Sequence, residues 1–312
     1  MEKSAGRLLG ALSAVYWVFG LGTKRVRRFT SVARYIAAVS GGVDSVVLLH
    51  MLVKGGHDVI VAHVEHGIRD DSAEDARFVH ALAALYGCPY EQTSLDLGPN
   101  ASELRARQGR YDFLFTVARR YGADIATAHH GDDLAETIAI NMARGTGWRG
   151  LAVLSRPGLY RPLLGYAKAD LYQYALREHL EWVEDKTNRD LRYLRNRVRA
   201  RLRPRLQAKD RTELLRLRNR QVELRARIAQ EARGILSQND SVRYLLTHIE
   251  QDCAVELLGQ YIEYAGGARL QRPQLERALI AVKTAQAGSH YHAGGKIVLC
   301  FATRDFSVKV LQ

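Results

Sequence analysis

The hexapeptide Ser40-Gly41-Gly42-Val43-Asp44-Ser45 limits what this chain can fold into more than any other stretch. It follows a strand-like apolar run at 35–39 and precedes residues 46–52, which read as the buried face of a helix. A strand that breaks into a Gly-rich turn and opens a helix aims several backbone N–H groups at one spot. That spot lies at the positive end of the helix dipole and favours a phosphate. Gly41 and Gly42 permit positive φ and close approach of a ligand, and the Ser40 and Ser45 hydroxyls add donors. No Gly-Lys-Ser/Thr follows, so the turn is not a Walker A loop. Asp44 puts a carboxylate where a cation would be expected, which makes sense with a Mg²⁺ between it and the phosphate. An ordinary strand–turn–helix corner is the competing reading, and two glycines alone would not exclude it.

Around that turn, strand and helix patterns alternate. Strands are expected at 58–63, 90–95 and 124–128, and helices at 72–86, 102–121 and 132–143. Repeated βα units imply a parallel sheet covered on both faces, with ligands bound beyond the carboxyl ends of the strands. Three further stretches fall near such ends. His66 and Arg69, in His63-Val64-Glu65-His66-Gly67-Ile68-Arg69, suit a nucleotide or phosphate, with a satisfied loop histidine as the alternative. Arg107 and Arg110 are three apart on one helix face and so suit one anion. Taken alone, they equally describe a solvated basic face. In His129-His130-Gly131-Asp132-Asp133-Leu134-Ala135-Glu136-Thr137, Asp132, Asp133 and Glu136 sit at a helix start, where one or two acids are ordinary caps. Paired histidines before them are not. Asp132 and Glu136, four apart, share a face and suit Mg²⁺ or the ammonium of a substrate amine.

Beyond residue 144 the chain turns basic. Arg144-Gly145-Thr146-Gly147-Trp148-Arg149-Gly150-Leu151 is a Gly-rich loop with two arginines, and a helix is expected at 167–179. Between 186 and 220 there are fourteen Lys or Arg against Asp190, Asp210 and Glu213, which is +11 of the chain's formal +13. A solvated helix face mixes its signs, so this imbalance points to a polyphosphate partner, most simply RNA. One long helix is expected at 212–236, then helices at 252–264 and 272–284 and strands at 289–292, 296–301 and 306–311. Cys88, Cys253 and Cys300 are far apart and form no C-x-x-C pair, so neither an iron–sulfur site nor a zinc ribbon is indicated, and a reducing, cytoplasmic setting is the default. Residues 8–22 are mostly apolar but shorter than the roughly 18 residues of a spanning helix. A packed N-terminal helix is expected there, with a membrane-surface or targeting role as the alternative; no stable membrane association is expected.

The first loop resembles the SGGxDS motif of the PP-loop, or N-type, ATP pyrophosphatases. Taken with His66-Gly67-Ile68-Arg69, Ala106-Arg107, Arg110-Tyr111, the stretch 129–137, Arg144–Leu151 and Arg161-Pro162-Leu163-Leu164, the chain is similar to the tRNA(Ile)-lysidine synthetase family. Asp185-Lys186-Thr187-Asn188 and Arg195-Asn196-Arg197 extend the resemblance to about residue 204. It implies an α/β fold: a parallel-sheet, Rossmann-like PP-loop domain at 34–207, then a helical linker at 208–240 and a small α+β tRNA-binding domain at 241–312. An extension at 1–33 precedes them. A homodimer is compatible with this plan.

The resemblance further implies a ligase that forms a carbon–nitrogen bond. The wobble cytidine of tRNA(Ile) with a CAU anticodon is adenylated by ATP with Mg²⁺, and free lysine then displaces AMP. By the same resemblance Ser40, Gly41, Gly42, Val43, Ser45 and His66 meet ATP, and Asp44 positions the metal. Arg107 and Arg110 stabilise developing charge, and His130, Asp132, Asp133 and Glu136 serve lysine binding or proton transfer. Arg144, Arg149, Asp185, Arg195, Arg197 and Arg199 are expected to contact lysine or tRNA. Leu134 departs from the family's usual glutamine, Lys168 from its arginine and Thr187 from its serine. The rival readings are tRNA thiolation, an RNA-binding protein without chemistry, and small-molecule amidation.

Overall fold

The computed structural model describes residues 32–65, 72–95, 103–184, 194–239 and 241–311. The apolar stretch at 8–22, the motif from His66 to Arg69, and Asp185 through Asn188 lie outside the described residues. Two compact units are formed, Met1–Ala128 with Tyr174–Glu184, and His129–Gln173 with Asp185–Gln312.

In the first unit, β1 (Arg34–Ala38) and β2 (Asp58–Glu65) pair in parallel with Ile36 opposite Ile60. Five consecutive β2 residues, Val59 through His63, are buried. Such an unbroken run is the mark of a parallel strand covered on both faces rather than an alternating half-wet one. β3 (Tyr90–Ser94) adds to β2, and β4 (Asp124–Ala126) adds to β1, both in parallel. The order β3-β2-β1-β4 means that the chain builds outward from β1 on one side and returns on the other. The turn after β1 therefore sits at the switch point, where sheets of this type bind ligands. The connecting helices are α1 (Val43–Lys54), α2 (Ser72–Leu85) and α3 (Glu103–Tyr121). The parallel sheet and its covering helices agree with expectation; β4 is two residues shorter than the sequence pattern indicates.

The second unit begins with α4 (Gly131–Ala143) and continues through β5 (Leu159–Tyr160) and the start of α5 (Lys168–Arg177). Then come α6 (Leu194–Leu202) and the 30-residue α7 (Ala208–Ser237). α7 starts four residues before the expected helix because the Gln207 N–H donates to Asp210 Oδ2 at 2.8 Å, capping the first turn. The C-terminal part packs α8 (Val242–His248), α9 (Gln251–Tyr264) and α10 (Arg272–Thr284) against an antiparallel sheet of β6 (His290–Gly294), β7 (Ile297–Phe301) and β8 (Phe306–Val310). Leu246, Leu258, Ile262, Val282 and Leu299 fill that core, to which α7 contributes Ala232. No helix among the described residues is long and apolar enough to cross a membrane.

Candidate active site

The loop after β1 is held from both ends. Buried His63 on β2 bonds through Nδ1 to the Val39 carbonyl at 2.9 Å, and the Val39 N–H donates to the Ala62 carbonyl. Gly41 takes φ +90, a conformation costly for any residue with a Cβ. Its carbonyl accepts the Val183 N–H at 3.0 Å. The Ser45 hydroxyl accepts from the Ser40 N–H at 3.2 Å and donates to the Gly42 carbonyl at 2.8 Å, closing the turn on itself. Gly42, the residue before α1, brings no side-chain cap. The first N–H groups of a helix have no carbonyl one turn back, so at Val43 the main chain presents a donor with the helix dipole behind it. Asp44, half-buried, is the acid of that first turn. Arg107 and Arg110 are exposed on α3, and the Arg107 guanidinium lies 5.6 Å from the Tyr111 ring.

The acids of α4 are arranged differently. Gly131 opens the helix with its N–H donating to the Tyr166 carbonyl at 2.7 Å. A Cβ there would stand 2.9 Å from that carbonyl and 3.2 Å from the Leu164 carbonyl, so only glycine fits without moving backbone. Behind it, Asp132, Asp133 and Glu136 are buried, Glu136 at 1% exposure. Each has basic partners. Asp132 accepts from Arg211 Nε at 2.6 Å and from the Lys168 N–H at 3.1 Å. Asp133 accepts from Arg195 Nη2 at 2.9 Å and from the His130 N–H at 3.1 Å. Glu136 accepts from Arg195 Nε at 3.0 Å and from Arg199 Nε and Nη2 at 2.7 and 3.2 Å. Three carboxylates thus meet three guanidinium groups, which is how charge is tolerated at such burial. For Asp133, burial works to raise its carboxyl, but the charges of His130 and Arg195 and the His130 N–H outweigh it and hold it below the ordinary range.

Leu134 faces the other way. It is 1% exposed and packs with Ile138 and Leu164, with Leu214 and Leu215 against them. An apolar residue at this position fills core rather than thinning the polar face. Arg144 is exposed at the C-terminal cap of α4. Arg149 is engaged: its guanidinium lies 4.4 Å from the Trp148 ring, and Nε reaches Glu256 of α9 at 3.2 Å, with Nη2 on the other carboxylate oxygen. Burial, with Arg269 and Arg225 nearby, pulls it down to about 10. Arg197 is exposed on α6. His66 and Asp185 lie outside the described residues.

Sequence reasoning passed over several residues that build these sites. His63 and Val183 fix the loop, and neither is marked by residue type. Arg211 and the Lys168 N–H hold Asp132. Arg218 on α7 donates to the Val153 and Leu154 carbonyls at 3.0 and 2.6 Å, and Arg161 donates to Leu154 as well.

Comparison with known proteins meets this geometry at the same residues. The family model described as the PP-loop domain matches residues 23–206, more than half of the chain. The chain belongs to the PP-loop family. Within it, the chain is 39% identical over 175 residues to the tRNA(Ile)-lysidine synthase of Exiguobacterium sibiricum, covering 54% of this chain and 42% of that protein. It is 42% identical over 178 residues to the protein of the same name from Novosphingobium aromaticivorans, covering 53% and 55%. The chain thus spans about half or less of the length of these PP-loop relatives. Among solved structures, the U34-tRNA thiolase NcsA from Methanococcus maripaludis, recorded with its [4Fe-4S] cluster, aligns with a TM-score of 0.53 at 18% identity. That alignment covers 65% of this chain and 76% of NcsA, a likeness of fold.

Proposed function

We propose that this PP-loop protein is a cytoplasmic tRNA(Ile)-lysidine synthetase. On this reading the wobble cytidine of a CAU-anticodon tRNA(Ile) attacks the α-phosphate of ATP through its carbonyl oxygen, releasing pyrophosphate. The amine of free lysine then attacks the activated carbon and expels AMP, forming the carbon–nitrogen bond of lysidine. The observation that carries the proposal is the similarity, at 37–42% identity over 175 to 183 residues, to several proteins named tRNA(Ile)-lysidine synthase, together with the PP-loop match at 23–206, which spans both the loop and the α4 acids.

The residues fit the nucleotide. Ser40, Gly41, Gly42, Val43 and Ser45 present hydroxyl and main-chain donors suited to a pyrophosphate group. No cluster of three or more His, Cys, Asp or Glu suited to a metal is found among the described residues. Asp44 would supply a carboxylate to Mg²⁺ otherwise held by phosphate oxygens and water, the usual habit of this ion. The ion's contribution is to neutralise phosphate charge. Arg107 and Arg110 are assigned to the charge that grows at phosphorus and on the leaving group. Asp132, Asp133 and Glu136, with His130, are assigned to lysine binding and proton transfer. Since their oxygens already face Arg195, Arg199 and Arg211, an incoming ammonium shares or replaces a guanidinium there. Arg144, Arg149, Asp185, Arg195, Arg197 and Arg199 remain assigned to the lysine or tRNA side.

Thiolation is disfavoured by the cysteines. Cys88 is the one cysteine within the PP-loop match, and burial, then Asp58, pushes its thiol up and away from the reactive thiolate. Asp44→Ala is expected to abolish tRNA-dependent exchange of labelled pyrophosphate into ATP while largely sparing tRNA binding. Unchanged exchange removes Asp44 from the nucleotide site.

A further inference from the structure

The segment from Leu194 to Leu206 carries an arginine at every second position, 195, 197, 199, 201, 203 and 205, with no acid among them. At about 100° per residue, an α-helix separates such a row into two faces. Arg195 and Arg199 fall on one side, about 40° apart, and Arg197 and Arg201 fall on roughly the opposite side. The structure uses the two faces differently. Arg195 and Arg199 turn inward onto Asp133 and Glu136, two cations against two anions. Arg197 and Arg201 are exposed on α6, and Arg203 and Arg205 are exposed in the turn that continues it, where the Arg203 N–H still donates to the Arg199 carbonyl.

Inner and outer arginines therefore do different work. The inner pair neutralises the α4 acids and joins two helices of one unit. Arg197 and Arg201, at i and i+4 on α6, with Arg205 in the turn beyond its end, add positive charge to surface that the α4 acids do not offset. We infer that Arg197, Arg201 and Arg205 form a docking rail for the phosphate backbone of RNA, and that Arg195 and Arg199 are not part of it. Guanidinium groups fork onto phosphate oxygens. Between Arg197 and Arg201 the one exposed residue is Ala200, not a large apolar side chain of the kind that an anionic membrane surface would require for insertion. This rests on the tRNA reading above and sharpens it by naming the side chains that meet the backbone.

The test is equilibrium binding of the full chain to a tRNA transcript across a KCl series, without ATP or lysine. The Arg197→Ala, Arg201→Ala, Arg205→Ala triple variant is expected to flatten the slope of log K against log salt by about two to three. Arg195→Gln with Arg199→Gln is expected to lower the unfolding midpoint and keep the slope within about one unit. A triple variant with the unmodified slope overturns the rail, as does a triple variant that loses binding to phosphatidylserine vesicles and keeps binding to tRNA. An inner-pair variant that flattens the slope as much as the triple overturns the division of labour; where that variant does not fold, the triple variant decides alone. A protein that shows the rail yet never couples lysine to RNA refutes the proposed reaction and leaves the rail standing. A protein that couples lysine while the triple variant binds with an unchanged slope does the reverse.

Discussion

The loop from Ser40 to Ser45 and the start of α4 are both polar sites at the opening of a helix, yet they are built on opposite plans. The loop draws its donors from neighbours in sequence: Ser45 bonds back to Ser40 and Gly42, and Gly41 takes a positive φ open to glycine, while His63 and Val183 brace the turn from outside. The α4 acids are completed from far along the chain, by Lys168, Arg195, Arg199 and Arg211, which lie 36 to 79 residues away from the acids they meet. The first plan leaves donors available to a ligand. The second spends its charge on internal partners, so a ligand there competes with arginines already in place.

That contrast sets an order of effects. Glu136→Gln removes the carboxylate charge shared by Arg195 and Arg199 at a site 1% exposed. Breaking such a pair costs about 3–5 kcal/mol, to be read from urea denaturation; a loss below about 1 kcal/mol would make the cluster a surface feature. Gly131→Ala forces a Cβ to 2.9 Å from the Tyr166 carbonyl, a backbone atom that cannot swing aside. About 1–3 kcal/mol is expected in the same assay. Gly41→Ala should cost less stability, about 1–2 kcal/mol, because its Cβ meets Val79, Phe78 and Val183 only at 3.5 to 3.7 Å and the cost is the φ of +90. Its effect on pyrophosphate exchange should exceed its effect on folding. If the two losses are equal, the loop is a structural corner rather than a ligand cradle.

The smallest effect separates the two plans by pH. The Asp133 carboxyl is held below its ordinary 3.8 in the folded protein. Its contribution to stability is complete above that unfolded value and is lost as pH falls through the lower folded one. The stability difference between the unmodified protein and Asp133→Asn should therefore be constant near neutrality and shrink only below about pH 4. A difference that changes between pH 5 and 8 would remove Asp133 as the titrating group.

Legibility in the sequence follows the same division. The apolar run of β2 and the Gly-Gly turn are local patterns, and the sheet, α1 and the loop were readable from them. Helix α10, at Arg272–Thr284, has the bounds its periodicity indicates. α6 was not readable as a helix, because arginine at alternate positions hides the apolar spacing that marks one. The family resemblance assigned Arg195 and Arg199 to lysine or tRNA; the fold also sets them against Asp133 and Glu136, a pairing that no window of local sequence contains. Leu134, which stood out against the family pattern, is explained by the apolar cluster it completes.

The most direct measurement is incorporation of labelled lysine into a tRNA(Ile) transcript incubated with the protein and ATP, set beside a transcript whose wobble cytidine is replaced by uridine. Label is expected on the first transcript, dependent on ATP, and none on the second. No label on either, or equal label on both, would contradict the proposed synthesis of lysidine at the wobble cytidine.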